Sequence, residues 1–259
     1  RDFWTTGGMR TIPHDAIDYT PDGASGCLSG VWNGVTFWYA KAAARYMPDF
    51  AAEALRVGFE NYARDPQRNN TVPGQFSEWL HGQTLVNGGM PLSPWFPPRY
   101  VWAVAEGLLG FDPEGAVPRV DPQLPPTWGW CALADVPYRG SFVRCFAARV
   151  PEMKIWSTHE LRSDAGVERL SSSVEVACSG DDVVGTALRE GPRYVVLVGN
   201  SGDRSITTAL RVSGASGAAR GRRYDSLSKA WTTFEARAGE LERGLPAFLE
   251  PKGFQVFDV

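Results

Sequence analysis

Glu78 is the one carboxylate between Asp65 and Glu106, and it stands in F-S-E-W-L-H-G, between a phenylalanine and a tryptophan. Aromatic neighbours dry a carboxylate and hold it still, and His81 or Gln75 is close enough along the chain to orient it. A glutamate placed in this way can take a proton from water or from a hydroxyl group. In a tight turn the same residue would be a solvated surface group. The segment around it, residues 67–99, reads QRNNTVPGQFSEWLHGQTLVNGGMPLSPWFPPR, with no sustained helical or strand period. It far exceeds the roughly 12–15 residues beyond which a loop in a compact domain is either functional or disordered. Phe76, Trp79, Leu80, Leu85, Met90, Leu92, Trp95 and Phe96 are apolar groups that seek burial, which argues against disorder. Asn69, Asn70, Gln75, Glu78, His81, Gln83, Asn87 and Ser93 are interleaved with them and can grip hydroxyls. A sugar ring offers C–H faces for stacking and hydroxyls for hydrogen bonds, so this mixture suits a carbohydrate site. A structural Ω-loop without a ligand is the plainer reading. Glycoside hydrolysis needs two carboxyl groups across the scissile bond, one protonating the leaving oxygen and one attacking or activating water.

Composition removes other classes. The 259 residues carry a net charge of −3 with no basic run, which argues against a nucleic-acid partner. No apolar stretch reaches about 18 residues, so no membrane span is expected. The opening RDFWTTGGMR lacks the apolar core and cleavage site of a signal peptide, and the expected compartment is cytoplasmic. Cys27, Cys131, Cys145 and Cys178 form no C-x-x-C pair, so reduced, packed cysteines are expected rather than a zinc or redox site. No G-x-S-x-G, P-loop, G-x-G-x-x-G or H-E-x-x-H motif occurs, and no metal or cofactor is expected.

The elements that would carry the loop follow from patterning. Residues 1–30 are rich in Gly, Pro, Thr and Asp and read as loop, where Trp4, His14, Asp15 and Asp18 have site potential but fit solvated or structural roles. Val31–Met47 contains a helix that is apolar nearly all round, broken by Lys41 and Arg45 and ended by Pro48. Asp49–Arg64 is an amphipathic helix stopped by Asp65-Pro66. Pro97–Leu109 reads as a third, mostly buried helix in which Glu106 pairs with a neighbour. Buried and amphipathic helices in this order suit a two-layer ring. From about Pro118 the chain turns to short β-branched runs between turn signals, among them Val183–Arg189, Arg193–Gly199, Ile206–Val212 and Gly253–Val259, which indicate a sandwich or barrel. His159 stands alone and reads as structural.

GGMRTIP, SGVWNGVTFWYAKA, PGQFSEWLHGQTLVNGGMPLSPW and PPRYVWAVAEGLLG resemble the last hairpins of the six-hairpin (α/α)6 glycosidases. The nearest type is the bacterial glycogen-debranching, amylo-α-1,6-glucosidase-like group. The likeness covers about residues 1–115, with F-x-E-W-x-x-G-x-T its most specific element. The run LVGN…LRV…YDSLSKAW…LEPKGFQVFDV resembles the all-β module that closes many glycosidase chains.

The resemblance implies an α+β multidomain chain. Residues 1–117 would be the final helical hairpins of an (α/α)6 toroid with active-site loop 67–99, and residues 118–259 an antiparallel all-β sandwich. It implies an inverting hydrolase of α-glucosidic linkages in an oligo- or polysaccharide. Glu78 would be the general base, and Trp32, Gln75, Trp79, His81 and Trp95 would line the pocket. The general acid lies in an earlier hairpin with no counterpart here, and a toroid has twelve helices against three or four in this chain. The expectation is therefore a fragment, inactive alone, completed by helices of the same polypeptide or another chain. Without them the Phe37, Trp38, Val101 and Trp102 faces would be bare. A non-catalytic carbohydrate-binding or assembly module is the alternative. A phosphorylase fits less well, because Glu78 would repel phosphate.

Overall fold

The computed structural model describes residues 2–20, 29–63, 72, 74–115, 119–138, 140–151, 155–156, 160–163, 166–169, 172–174 and 176–259. Cys27, Asn69, Asn70 and His159 lie outside the described residues. The chain divides into two compact units, Arg1–Gly110 and Phe111–Val259.

The first unit opens on a small hairpin, β1 (Trp4–Thr5) and β2 (Gly8–Met9). Helix α1 (Asn33–Ala44) and helix α2 (Pro48–Tyr62) then pack on each other. The alanine-rich second half of α1 favours helix, and Phe37, Ala40 and Ala44 at helical spacing are its buried stripe. Pro48 and Asp49 suit the first turn of α2, the proline by its fixed φ and the aspartate by its charge at the positive end of the dipole. Gly58 on α2 gives way to the Phe37 ring, since a Cβ there would lie 2.3 Å from its edge. Helix α3 (Phe96–Trp102) continues into a π-helical turn, Ala103–Leu108, that meets α1 at Gly107. There Lys41 Nζ lies 2.5 Å from Glu106 Oε2 and 3.8 Å from the centre of the Trp102 ring.

The expected toroid is not present. The described residues are mostly β, at 36% strand against 21% helix, with four short α-helices and one π turn. Two patterning signals misled. The α1 sequence is apolar nearly all round, yet only one stripe is buried, and Trp38 and Tyr39 are exposed at 49% and 47%. The Pro97–Leu109 run does not continue as a regular helix but changes hydrogen-bond register after Trp102. No helix among the described residues is long and apolar enough to cross a membrane.

The second unit is antiparallel throughout, apart from a short helix α4 (Glu240–Arg243). Short pairs come first, β3 (Phe111–Asp112) with β4 (Arg119–Val120) and the hairpin β5 (Trp130–Tyr138) with β6 (Ser141–Ala148). Strands β7 (Ile155–Trp156), β8 (Glu160–Ser163) and β9 (Gly166–Arg169) form a separate ribbon. The main sheet takes β10 (Ser172–Val174), β12 (Val183–Glu190), β13 (Arg193–Asn200), β15 (Ala219–Asp225), β16 (Ala230–Ala236) and β18 (Phe254–Asp258), in the order β10-β12-β13-β18-β15-β16. A three-stranded sheet holds β11 (Val176–Ala177), β14 (Ile206–Val212) and β17 (Leu245–Leu249).

The main sheet is covered on both faces. Side chains alternate along a strand. Val195 and Leu197 of β13 join Phe146, Ala148 and Trp130 of the β5–β6 hairpin. Val196 and Val198 join Leu210, Val212, Leu249 and Leu241 on the other face. Gly199 seats the Trp130 ring, which would lie 2.7 Å from a Cβ at that position. Cys131, Cys145 and Cys178 are free thiols.

Candidate functional site

The segment carrying Glu78 is built as two extended legs. Phe76 is buried against the rings of Phe37 and Tyr62, which anchors the first leg to the helices. Ser93 N–H donates to Phe76 O at 2.8 Å, Glu78 N–H to Met90 O at 2.9 Å and Gly88 N–H to Trp79 O at 3.1 Å, so residues 76–80 run beside residues 87–93. On its other side Leu80 exchanges backbone hydrogen bonds of 2.8 and 2.9 Å with Val31, just before α1. The connecting turn is closed by His81, whose Nδ1 accepts the N–H groups of Gln83 and Thr84 at 3.1 and 3.0 Å. An accepting Nδ1 requires a neutral ring with its proton on Nε2.

Trp79 is held by glycine. Its ring is 9% exposed, and a Cβ at Gly30, Gly88 or Gly89 would come within 2.8, 2.1 or 2.5 Å of it. The indole is therefore spent on packing and acts on Glu78 through the backbone. Glu78 is half-buried, and its Oε2 accepts the N–H of Met90 at 3.2 Å, while its own N–H donates to the carbonyl of that residue. Both ends of one residue thus pin both ends of the other. No lysine or arginine among the described residues pairs with this carboxylate. It keeps free lone pairs and remains an acceptor for a water or hydroxyl proton.

The other sequence-derived candidates sit around this clamp in different ways. Trp32 is half-buried, packs edge-on to Phe96 at 6.2 Å, and its indole N–H has no partner among the described residues. Trp95 adjoins Phe96 at the start of α3 and is 55% exposed, so its face is open. Gln75 is half-buried and its N–H donates to Val72 O, with its side-chain amide uncommitted. His81 and Trp79 share the leg with Glu78 but serve its geometry. Three positioning groups were missed from sequence: the Met90 N–H, Gly30, and the Gly88–Gly89 pair. The Asn-Gly-Gly run was the visible signal for the last of these.

Glu106, the other carboxylate weighed in sequence, is committed to Lys41, and Glu53 and Glu60 both pair with Arg56. Asp15 and Asp18 are exposed. No group of three or more His, Cys, Asp or Glu side chains able to hold a metal occurs among the described residues. Compared with models of protein families and with curated proteins, the chain matches none.

Proposed function

We propose that residues 75–99 form the reactive loop of an inverting glycoside hydrolase acting on α-glucosidic linkages of an oligo- or polysaccharide. Glu78 is the general base, and the general acid lies outside this chain. The carrying observation is the clamp on Glu78: a half-buried carboxylate without a cation among the described residues, fixed by the Met90 N–H and by a glycine-wedged tryptophan. In the reaction Glu78 takes a proton from the water that attacks the anomeric carbon, while the acid gives one to the leaving oxygen on the opposite face. The two carboxyl groups of an inverting pair stand about 6.5–9.5 Å apart to admit that water. The open face of Trp95 suits the C–H side of a sugar, and the half-buried Gln75 amide supplies a donor and an acceptor. The loop chemistry supports a sugar site with an available carboxylate, while the inverting course and the α-glucosidic linkage rest on the resemblance carried by the F-S-E-W element.

A non-catalytic carbohydrate-binding or assembly module is the second reading. It is favoured by the commitment of Glu53, Glu60 and Glu106 to cations, which takes them out of contention as a partner acid. The test is Glu78→Gln in the protein expressed from its whole gene, assayed on α-linked gluco-oligosaccharides. The expected result is a kcat lower by about a thousandfold or more with KM little changed, because the amide keeps the shape but cannot take the proton. Near-normal turnover removes Glu78 from the chemistry. Sugar binding without turnover in the parent protein selects the second reading.

A further inference from the structure

We propose that the second unit carries a saccharide-binding cleft of its own, walled by Trp128 and Trp130 and floored by Tyr224. The cleft has a volume of about 460 Å³ and lies where the start of β5 meets the turns Asp225–Ala230 and Glu250–Phe254. That volume falls within the roughly 300–1,000 Å³ of small-molecule sites. The proposal stands on the geometry of this unit alone and does not depend on Glu78.

The walls are rigid. Trp130 stacks on Phe146 at 5.2 Å with 16° between planes, and its indole N–H donates to Lys252 O at 2.7 Å. Tyr224 is 6% exposed and wedged between Trp231 and Phe254, with centroids 5.5 and 5.7 Å away. Its hydroxyl nevertheless has no partner among the described residues, although it lines the cleft. Burial, and then the Asp225 carboxylate beside it, raise its pKa, so the phenol stays a neutral donor. Trp128 is half-buried, and its indole N–H is likewise without a partner among the described residues. Neither the phenol nor the Trp128 indole N–H is among the fully buried unpaired atoms, so both are open to the cleft and can donate to a ligand hydroxyl.

The charges select the ligand. Lys252 is spent on Ser201 O and Asp203. Arg149 uses one arm on Leu124 O, Glu250 uses one oxygen on Ser205, and Lys229 makes no ion pair among the described residues. Mixed donors and one carboxylate suit hydroxyl groups, which both give and take hydrogen bonds. A phosphate would face Glu250. The backbone adds an independent sign. Of three non-glycine residues at positive φ among the described residues, Lys229 at 53° and Lys252 at 57° both line this cleft. Left-handed backbone at a long side chain is strained, and such strain gathers at functional sites.

The test is calorimetric titration of the whole 259-residue chain with maltoheptaose, cellohexaose and inorganic phosphate. The expected result is binding of one or both oligosaccharides and not of phosphate. Trp128→Ala should weaken it at least tenfold and Tyr224→Phe threefold or more. Lys229→Gly removes the side chain while relieving the backbone, so affinity should fall several-fold with thermal stability kept or raised. Phosphate binding alone, no binding of either sugar, or sugar affinity indifferent to Trp128 and Lys229 would each overturn the proposal.

Discussion

Gly88→Ala is the sharpest probe of the Glu78 clamp. A Cβ at this position would stand 2.1 Å from two carbons of the Trp79 ring, and ordinary contact begins near 3.4 Å, so the indole must retreat by about 1.3 Å. It has little room to do so. The places for a Cβ at Gly30 and Gly89 already lie 2.8 and 2.5 Å from the same ring, and the Leu80 carbonyl is beside Gly30. Overpacking a rigid group costs about 1–3 kcal/mol, and a ring hemmed in by backbone belongs in the upper half of that range. The displacement is passed directly to Glu78, the preceding residue. A misplacement of about 1 Å at a reacting group can cost 10²-fold in rate. The assay is urea denaturation followed by circular dichroism, with Gly217→Ala as control because that position has open space and ordinary φ. The expected outcome is a loss of about 2–3 kcal/mol for Gly88→Ala and less than about 0.5 kcal/mol for the control. Equal stability of the two variants would refute the claim that glycine holds Trp79, and with it the account of how Glu78 is placed.

Two further outcomes follow from the same physics. Burial pushes the Cys145 thiol up to about 12 and the Cys178 thiol to about 11, from an ordinary 9.0. A raised pKa in the folded chain means the unfolded chain loses these protons first. Their contribution is therefore complete below pH 9 and drains away as pH climbs from about 9 toward 12, at roughly 1.4 kcal/mol per unit for each thiol. Cys145→Ala should lower stability at pH 7 but flatten its decline between pH 9 and 10.5, and parallel declines would refute the buried thiol. Glu106→Gln should cost about 1 kcal/mol, since its pair with Lys41 is only partly buried, and should leave sugar hydrolysis or binding untouched. A rate loss like that of Glu78→Gln would instead make Glu106 the missing acid.

The legible parts of the chain are those where one residue type has one use. Arg193–Asn200 is a continuous apolar run closed by Gly-Asn, and it is a central strand buried on both faces. Ala219–Asp225 was missed because ARGRRYD has almost no apolar alternation, Arg222 turning to Asp258 and Trp231 and Arg220 to Glu235 while Tyr224 and Ala219 reach the cores. Leu245–Leu249 was hidden by Pro246, which is tolerated at an exposed position of a strand with one paired neighbour. The toroid reading came from tryptophans. Trp38 looks like core in a one-dimensional pattern, yet it is 49% exposed with the Arg99 guanidinium over its ring at 4.7 Å. The site was half legible for a related reason. Glu78 between aromatics was visible, but nothing in the type of Trp79 or His81 says whether a ring faces a sugar or its own backbone. Only the neighbouring glycines decide that, and their contacts come from residues 30 and 88 together.

The double burial of Arg193–Asn200 has a thermodynamic consequence. Its amides pair with Val183–Glu190 on one side and Phe254–Asp258 on the other, and its alternate side chains belong to two different cores. An opening that wets one core must pull this strand away from the other. The two cores are then not separate reservoirs of stability, and neither can melt as a partial step. The unit should lose both in a single transition, with the Val195–Val198 amides exchanging deuterium only through that global event.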